Sequence, residues 1–197
     1  MKIYEYKNYD EYVKIQTHHN KSKIKLKQSY FETQGPRKGM IIAMIHKYFG
    51  PSVVNKDVLC HGTRGGHEQQ FFKGLFPKGH TQGTEISDTA SEFPMTFQHD
   101  MTKPHPRLVN RFDIVYSNSF DHSIYPLETL RVWNEQLRKD GILLIEWSES
   151  QSIGDEVDPL DASYKEIKKL LEEAGFIIEH DFEIGRMQGR LYTCKKL

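Results

Sequence analysis

The fold is decided by residues 58–87, whose sequence is VLCHGTRGGHEQQFFKGLFPKGHTQGTEIS. The short apolar run 58–61 predicts a buried strand, and the glycine-rich segment 62–66 predicts a tight turn. Residues 67–76 predict a helix, because their large apolar side chains recur at a spacing that places them on one face. Residues 80–86 predict a second strand. A strand, a glycine turn, a helix and a strand that ends near an acid form the βαβ unit that binds a nucleoside.

The spacing of the glycines decides between two kinds of nucleoside site. Glycines at the N-terminus of a helix let a ligand approach free main-chain N–H groups, and Glu85 at the tip of the second strand can accept both hydroxyls of a ribose. A dinucleotide site requires G-x-G-x-x-G. Counting from Gly62, Arg64 and His67 stand where the second and third glycines belong. A nicotinamide-dependent oxidoreductase is therefore disfavoured.

Three motifs carry a resemblance to a known family. The looser pattern G-x-G-x-G is matched by Gly62 and Gly66 but not by Arg64. The motifs are HGTRGGHE at 61–68, GTEISDTASEFP at 83–94 and YSNSFDHS at 116–123. From about residue 51 to its end, the chain resembles class I S-adenosylmethionine-dependent methyltransferases, and most of all a bacterial and phage branch that carries these motifs.

The resemblance implies a fold, a cofactor and an activity. The fold class is α/β, with a Rossmann-like sheet of seven strands and helices on both faces. Residues 1–50 would be an N-terminal helical cap over the cofactor or the substrate pocket, and residues 51–197 the domain that binds S-adenosylmethionine. The implied activity is that of an enzyme that transfers a methyl group from this cofactor.

Composition bounds the function class. The chain has 197 residues, and its 27 Lys and Arg balance its 27 Asp and Glu. A neutral balance does not favour a nucleic-acid or membrane partner. The two cysteines, Cys60 and Cys194, give no disulfide framework, and the charged N-terminus resembles no signal peptide. No apolar run approaches membrane length. We therefore expect a cytoplasmic protein.

Local signals predict the remaining elements. Asp10 is a candidate N-cap for a first helix that runs to about Tyr30, the pair Gly35-Pro36 breaks it, and a second helix spans 39–49. The later elements are a turn or short helix at 88–94, strands at 95–98, 112–117, 142–147, 176–183 and 190–195, a helix at 126–138, and a last helix that starts at Asp158-Pro159 and ends at Gly175. Residues 148–157 form a polar loop that could act as a lid.

The resemblance assigns cofactor contacts to four places along the chain. They are the glycine turn, the end of the second strand and the ends of the third and fourth strands. Asp100 would accept a hydrogen bond from the adenine amino group, although it could instead cap the next turn. The candidate contacts are His61, Gly62, Thr63, Arg64, Gly66, Glu85, Ile86, Asp100 and Asn118.

Two residues depart from the family pattern. The acid that commonly ends the first strand, and that steadies the amino group of the methionine portion, is Cys60 here. Arg64 replaces the second glycine of the turn, where it either crowds the ligand or pairs with its carboxylate. The branch that this chain resembles shares a GTR turn, which favours pairing.

The polar segment after the fourth strand falls where a methyl group and its acceptor would meet. His122 is the first candidate for a general base, and Asp121 could orient its ring or position the acceptor. Both could instead cap the following element. His61 is the next candidate, with core packing as its alternative. Asn118, Asp121 and Glu146 are oxygen donors of the type that magnesium prefers, but their spacing matches no ligand set, so no metal is predicted.

These observations leave two main hypotheses. The first is a methyltransferase that acts on an oxygen or nitrogen atom of a small-molecule or sugar-like acceptor. No Asn/Asp-Pro-Pro-Tyr/Phe motif follows the fourth strand, which disfavours the enzymes that methylate amino groups of DNA or glutamine. The second is a non-catalytic binding or scaffold protein with a degenerate cofactor site, for which Cys60 and Arg64 are the best support.

Overall fold

The structure is a computed structural model that describes residues 1–25, 35–150, 153–184 and 189–197. In chain order the elements are β1 (Lys2–Ile3), α1 (Tyr9–Lys25), α2 (Gly35–Phe49), β2 (Val58–His61), α3 (His67–Leu75), β3 (Thr81–Glu85), a 3-10 helix (Asp88–Glu92), β4 (Thr96–Gln98), β5 (Phe112–Ser117), a 3-10 helix (Phe120–His122), α4 (Pro126–Gln136), β6 (Leu137–Trp147), β7 (Leu160–Asp161), α5 (Tyr164–Glu173), β8 (Phe176–Ile184) and β9 (Gly189–Lys196).

Seven strands form the central sheet, in the order β4-β3-β2-β5-β6-β9-β8. Neighbouring strands in the run β4-β3-β2-β5-β6 pair in parallel. Strand β9 runs antiparallel to both of its neighbours, β6 and β8. This arrangement confirms the predicted seven-stranded α/β sheet. The parallel strands direct their carboxyl ends to one edge, which is where such sheets bind ligands.

The sheet buries both of its faces, as a parallel sheet must. Val58 and Cys60 of β2 pack with Phe72 of α3 and with helix α2 on one face. Leu59, between them in sequence, packs on the opposite face with Trp133 of α4 and with helix α5. Successive side chains of a strand point to opposite faces, so the apolar run of β2 supplies both cores.

The β2–α3–β3 unit forms as predicted, with ends that differ by one residue. Strand β2 has the predicted bounds, α3 ends at Leu75, and β3 spans Thr81–Glu85. Gly62 and Gly66 have φ angles of +67° and +72°, which is the left-handed region that glycine adopts at no steric cost. Apolar periodicity and glycine are local signals, which explains the agreement.

The predicted start of the last helix at Asp158-Pro159 is wrong. Helix α5 begins at Tyr164, where Ser163 is the N-cap and forms a capping box with Glu166. Residues 160–161 instead form β7, which pairs antiparallel with β1 near the N-terminus. A capping residue followed by proline is a weaker signal than a complete capping box, and a pairing partner 159 residues away gives no local signal.

Other boundaries differ by a few residues. Helix α4 ends at Gln136, and Leu137 already belongs to β6 because it pairs with Phe112 before a bulge. Helix α2 begins at Gly35, so Gly35-Pro36 opens this helix. Asn8 rather than Asp10 caps α1, since its Oδ1 accepts the Glu11 N–H at 2.9 Å. The predicted extension of α1 through 26–30 lies outside the described residues.

The described part of the first fifty residues contacts the rest of the chain at several places. Strand β1 pairs with β7, and α2 contributes Ile41 and Ile45 to the core. Whether residues 1–50 form a separate cap remains a prediction. Cys60 and Cys194 are both buried free thiols. Among the described residues, no helix is both long and apolar enough to cross a membrane.

Candidate functional site

A cleft with about 490 Å³ of empty space lies between helix α1 and the carboxyl ends of the parallel strands. We call it the main cleft. Six of the predicted site residues line it, namely Gly62, Arg64, Glu85, Ile86, Asp100 and His122. The remaining lining residues are Tyr12, Gln16, His19, Asn20, His99, Met101 and Ser119.

A second cleft lies beside the first, at the ends of β5 and β6. Asn118 and Asp121 line it, together with Arg37, Glu146, Trp147, Ser148, Ile184 and Gly189. The segment 118–122 therefore forms a wall common to both clefts, since Ser119 and His122 face the main one. The predicted site residues His61, Thr63 and Gly66 line neither cleft.

Glu85 is held rigidly at the tip of β3. Its side chain is 5% exposed, and its two carboxylate oxygens accept main-chain N–H groups of Arg64 at 2.8 Å and Ser87 at 3.1 Å. Burial raises the pKa of Glu85, and these two hydrogen bonds oppose the rise. Each carboxylate oxygen can accept a further bond, so the group can still receive hydroxyl donors.

The glycine turn closes tightly on the end of β5. A Cβ atom on Gly62 would lie 2.6 Å from Cβ of Ser119, and the Ser119 hydroxyl donates to the Gly62 carbonyl at 3.0 Å. Only glycine fits there. Arg64 has a φ of +42°, and its buried Nε has no hydrogen-bond partner within the described parts of the chain.

Asp100 both caps a turn and lines the main cleft. Its Oδ1 accepts the N–H of Thr102 at 2.8 Å, and its Oδ2 accepts the hydroxyl of Tyr9 at 2.6 Å. The Oδ1 atom therefore has the turn-capping role that the sequence analysis gave as the alternative for Asp100. The carboxylate lies at the end of the cleft that His99 and Met101 also line.

The side chain of His61 packs in the core. It is 1% exposed, its ring nitrogens lie 2.8 Å from Thr84 Oγ1 and 2.8 Å from Gln136 Oε1, and its ring stacks on Trp133. Burial lowers its pKa to about 3. This geometry corresponds to the packing alternative for His61. Thr63 is also enclosed, since its hydroxyl accepts a bond from Gln69 at 2.8 Å.

His122 is oriented by the loop that precedes β7. Its Nδ1 lies 2.9 Å from the carbonyl oxygen of Val157 and 3.6 Å from Asp158. A carbonyl oxygen only accepts, so Nδ1 carries the proton and Nε2 of the neutral ring is the acceptor. Asp121 faces the second cleft instead. Sequence reasoning missed Val157 and Asp158, because no local pattern connects them to His122.

Asp121, His122 and Asp158 bring three ligand atoms within 4.8 Å of one another. Burial, and next the repulsion from Asp121, raise the pKa of Asp158 to about 6. Acidic groups often gather at strand ends without an ion, and we assign no metal to this cluster.

Helix α1 closes the main cleft through hydrogen bonds to three loops. Tyr9 bonds Asp100, the Tyr12 hydroxyl donates to the carbonyl of His122 at 3.1 Å, and Gln16 donates to the carbonyl of Val157 at 2.8 Å. His19 lines the cleft, and burial followed by repulsion from His122 lowers its pKa to about 4. These residues were missed because their position depends on how α1 docks.

The second cleft contains a buried ion pair. Nε of Arg37 lies 2.6 Å from Oε2 of Glu146, and both side chains are at most 6% exposed. The Tyr116 hydroxyl donates to Oε1 of Glu146 at 2.6 Å. Burial raises the pKa of Glu146 to about 7, against the lowering effect of Arg37.

Several solved structures with the same fold are methyltransferases. The chain aligns with the 1,6-didemethyltoxoflavin-N1-methyltransferase of Burkholderia thailandensis, solved with bound 1,6-didemethyltoxoflavin and S-adenosylhomocysteine. The TM-score is 0.75 at 16% identity, over 98% of this chain and 92% of that one. It aligns with a TehB-like S-adenosylmethionine-dependent methyltransferase of Corynebacterium glutamicum at 0.68 and 13% identity, over 91% and 99%. The [4+2]-cyclase SpnF gives 0.63 and 13% identity, over 80% of each chain.

The fold is that of the class I S-adenosylmethionine-dependent methyltransferases. Neither the protein-family models nor the curated proteins match the sequence. The similarity to the cyclase illustrates that this fold supports more than one chemistry, so the reaction must be argued from the site.

Proposed function

We propose that the chain is an S-adenosylmethionine-dependent methyltransferase that acts on an oxygen or nitrogen atom of a small-molecule or sugar-like acceptor. The observation that supports this most strongly is the placement of Glu85 and the Gly62 turn in one cleft at the carboxyl ends of β2 and β3. A carboxylate at the tip of the second strand and a turn that admits no Cβ are the features that a ribose and its attached chain require.

The residues of the main cleft define the direction in which the bound cofactor would lie. Glu85 and the adjoining Ile86 receive the ribose, and Asp100 receives the adenine amino group. Arg64, whose buried Nε lacks a partner among the described residues, pairs with the carboxylate of the methionine portion. When bound, S-adenosylmethionine supplies a methyl group on a good leaving group, so alignment of the acceptor is the main requirement.

His122 is the proposed general base. Val157 holds the proton on Nδ1, which leaves the lone pair of Nε2 to take a proton from the acceptor. The ring lies on the wall between the two clefts, where a methyl group would pass from cofactor to acceptor. Asp121, on the other side of that wall, is placed to position the acceptor.

The test is methyl transfer itself. Purified protein is incubated with S-adenosylmethionine labelled in its methyl group and with the small-molecule fraction of a bacterial extract. We expect label in a small molecule, and a rate roughly 10²–10⁴-fold lower for His122→Ala. The matched control is His80→Ala, which alters an exposed histidine remote from both clefts. Cofactor binding without any transfer of label would favour the scaffold alternative.

A further inference from the structure

The second cleft presents more negative than positive charge. Among the described residues that line it, Asp121 and Glu146 carry carboxyl groups and Arg37 carries the one guanidinium group. Arg37 already pairs with Glu146. The carboxylate of Asp121 is therefore left without a balancing cation in the described lining of the cleft.

Asp121 can accept hydrogen bonds from a ligand. The residue is half-buried, and its carboxylate makes no hydrogen bond or ion pair with any residue that the structure describes. One of its oxygens lies within 4.8 Å of a ring nitrogen of His122 and of a carboxylate oxygen of Asp158. A group that Asp121 binds is therefore adjacent to the proposed general base.

Glu146 adds a second acceptor, and its side chain is only 5% exposed. Its Oε1 accepts the hydroxyl of Tyr116, whereas its Oε2 lies 2.6 Å from Nε of Arg37 without the alignment of a hydrogen bond. Oε2 is therefore a buried oxygen that a further N–H donor can satisfy. Burial raises the pKa of Glu146 to about 7, and a neighbouring cation would favour its ionised form.

Asn118 supplies a third acceptor to the second cleft. Its Nδ2 donates to Oε1 of Glu68 at 3.2 Å, which leaves Oδ1 as the accepting side of the amide. Oγ of Ser119 lies 3.1 Å from this Oδ1, but the single hydroxyl proton of Ser119 goes to the Gly62 carbonyl. Oδ1 of Asn118 is thus open to another donor. Acceptors in excess, two of them carboxylates, favour a ligand group that carries N–H donors and a positive charge.

We propose that the second cleft binds a primary ammonium group of the methyl acceptor, held by Asp121 and Glu146. This inference rests on the proposed function and names the class of its substrate. A protonated amine beside carboxylates has no lone pair, so it does not itself accept the methyl group. The acceptor therefore has two groups, the ammonium group that anchors it and a separate oxygen or nitrogen atom that faces His122. Amino sugars, amino alcohols and diamines have both.

The amine can be tested in an extract before the acceptor is identified. The small-molecule fraction of a bacterial extract is treated with acetic anhydride, which converts amines to neutral amides, and is then incubated with the protein and methyl-labelled S-adenosylmethionine. We expect the transfer of label to fall at least about tenfold relative to a fraction that received hydrolysed reagent, because hydrogen bonds to a charged group are lost. The labelled product of the untreated fraction should still react with o-phthalaldehyde, which detects primary amines, because the anchoring amine is not methylated.

The variant Asp121→Asn tests the residue, with the acceptor purified from that reaction. We expect it to raise the KM for the acceptor about tenfold or more and to leave the affinity for S-adenosylhomocysteine within about twofold. Asp121→Glu, which keeps the charge, should recover part of the loss. Asp140→Asn is the matched control, because it changes an exposed acid in β6 far along the strand from Glu146.

The outcomes separate this inference from the function on which it rests. If acetylation leaves the transfer of label unchanged, or if the labelled product has no primary amine, the inference is wrong and the proposed function stands. An unchanged KM in Asp121→Asn would overturn the inference in the same way. If folded wild type binds S-adenosylhomocysteine but labels no small molecule, both are wrong. Circular dichroism and the affinity for S-adenosylhomocysteine establish that each variant is folded.

Discussion

The hydroxyl group of Tyr9 donates a hydrogen bond of 2.6 Å to Oδ2 of Asp100. This bond joins the first turn of helix α1 to the end of the main cleft that we assign to adenine. Tyr12 and Gln16, on successive turns of the same helix, donate hydrogen bonds to the carbonyl groups of His122 and Val157. The N-terminal helix is thereby part of the cleft wall, and its stability is linked to the site.

The Tyr9–Asp100 bond should contribute measurably to stability. Hydrogen bonds to charged groups contribute about 1.5–3 kcal/mol, and partial exposure reduces this, so we expect Tyr9→Phe to lower the free energy of unfolding by about 1 kcal/mol. For a chain of this size the melting temperature should fall by about 2–4 °C. Calorimetry measures the melting temperature of this variant and of the control Tyr125→Phe. The side chain of Tyr125 is 46% exposed. Equal melting temperatures for the two variants would contradict the assignment.

The tautomer of His122 can be measured before any acceptor is known. Because the carbonyl oxygen of Val157 can only accept, neutral His122 should carry its proton on Nδ1. Long-range ¹⁵N–¹H correlation spectra of protein labelled in histidine distinguish the two tautomers. We expect the Nδ1–H form for His122, and the Nε2–H form that is typical of free imidazole for an exposed histidine such as His80. A protonated Nε2 in neutral His122 would remove it as a general base.

His61 should make stability depend on pH. Its pKa is about 3 in the fold, whereas the ordinary value for a histidine is 6.5. Between these values the unfolded chain binds the extra proton, so a fall in pH lowers the free energy of unfolding by about 1.4 kcal/mol per unit from this residue. The stability advantage of the wild type over His61→Gln should therefore shrink by that slope between pH 6 and pH 4. Denaturant titrations at several pH values measure it, and parallel curves would contradict the buried, neutral state.

The buried Arg37–Glu146 pair gives a test by double substitution. Removing one partner leaves a buried charge, so we expect Arg37→Met to destabilise the protein by about 3–5 kcal/mol at pH 8. Combining it with Glu146→Leu should recover most of that loss. The loss in Arg37→Met should also be smaller at pH 6, because Glu146, whose pKa is already raised to about 7, is then protonated. An additive double variant would show that the two side chains do not interact.

The sequence predicted best the parts of the fold whose signals are local. The β2–α3–β3 unit follows from an apolar run, glycines with positive φ and helical periodicity. Strands β1 and β7 have two residues each and depend on a pairing across most of the chain, so no window of sequence indicates them. The false start of α5 at Asp158 arose because Asp-Pro imitates a helix N-terminus, whereas Asp155 accepts the N–H groups of Val157 and Asp158 in a turn.

The residues of the candidate site also divide into those that a local sequence signal indicates and those that it does not. Residues that follow a strand directly, such as Glu85 and Asp100, could be placed because strand ends gather at one edge of a parallel sheet. The contribution of Tyr12, Gln16 and His19 could not, since helix α1 is polar on several sides and its docking depends on bonds to distant loops. The contact between Asn118 and Glu68 likewise joins residues 50 positions apart.

We propose that the main cleft binds S-adenosylmethionine through Glu85. The most direct measurement is a calorimetric titration with S-adenosylhomocysteine, with NADH as the control ligand and Glu85→Gln as the test variant. We expect saturable micromolar binding of S-adenosylhomocysteine, no binding of NADH, and an affinity for S-adenosylhomocysteine at least about tenfold lower in Glu85→Gln. Glu92→Gln, an exposed acid nearby, should bind as the wild type does. Folded protein that does not bind S-adenosylhomocysteine, or that binds it equally well without the Glu85 carboxylate, would contradict the proposed role of the main cleft.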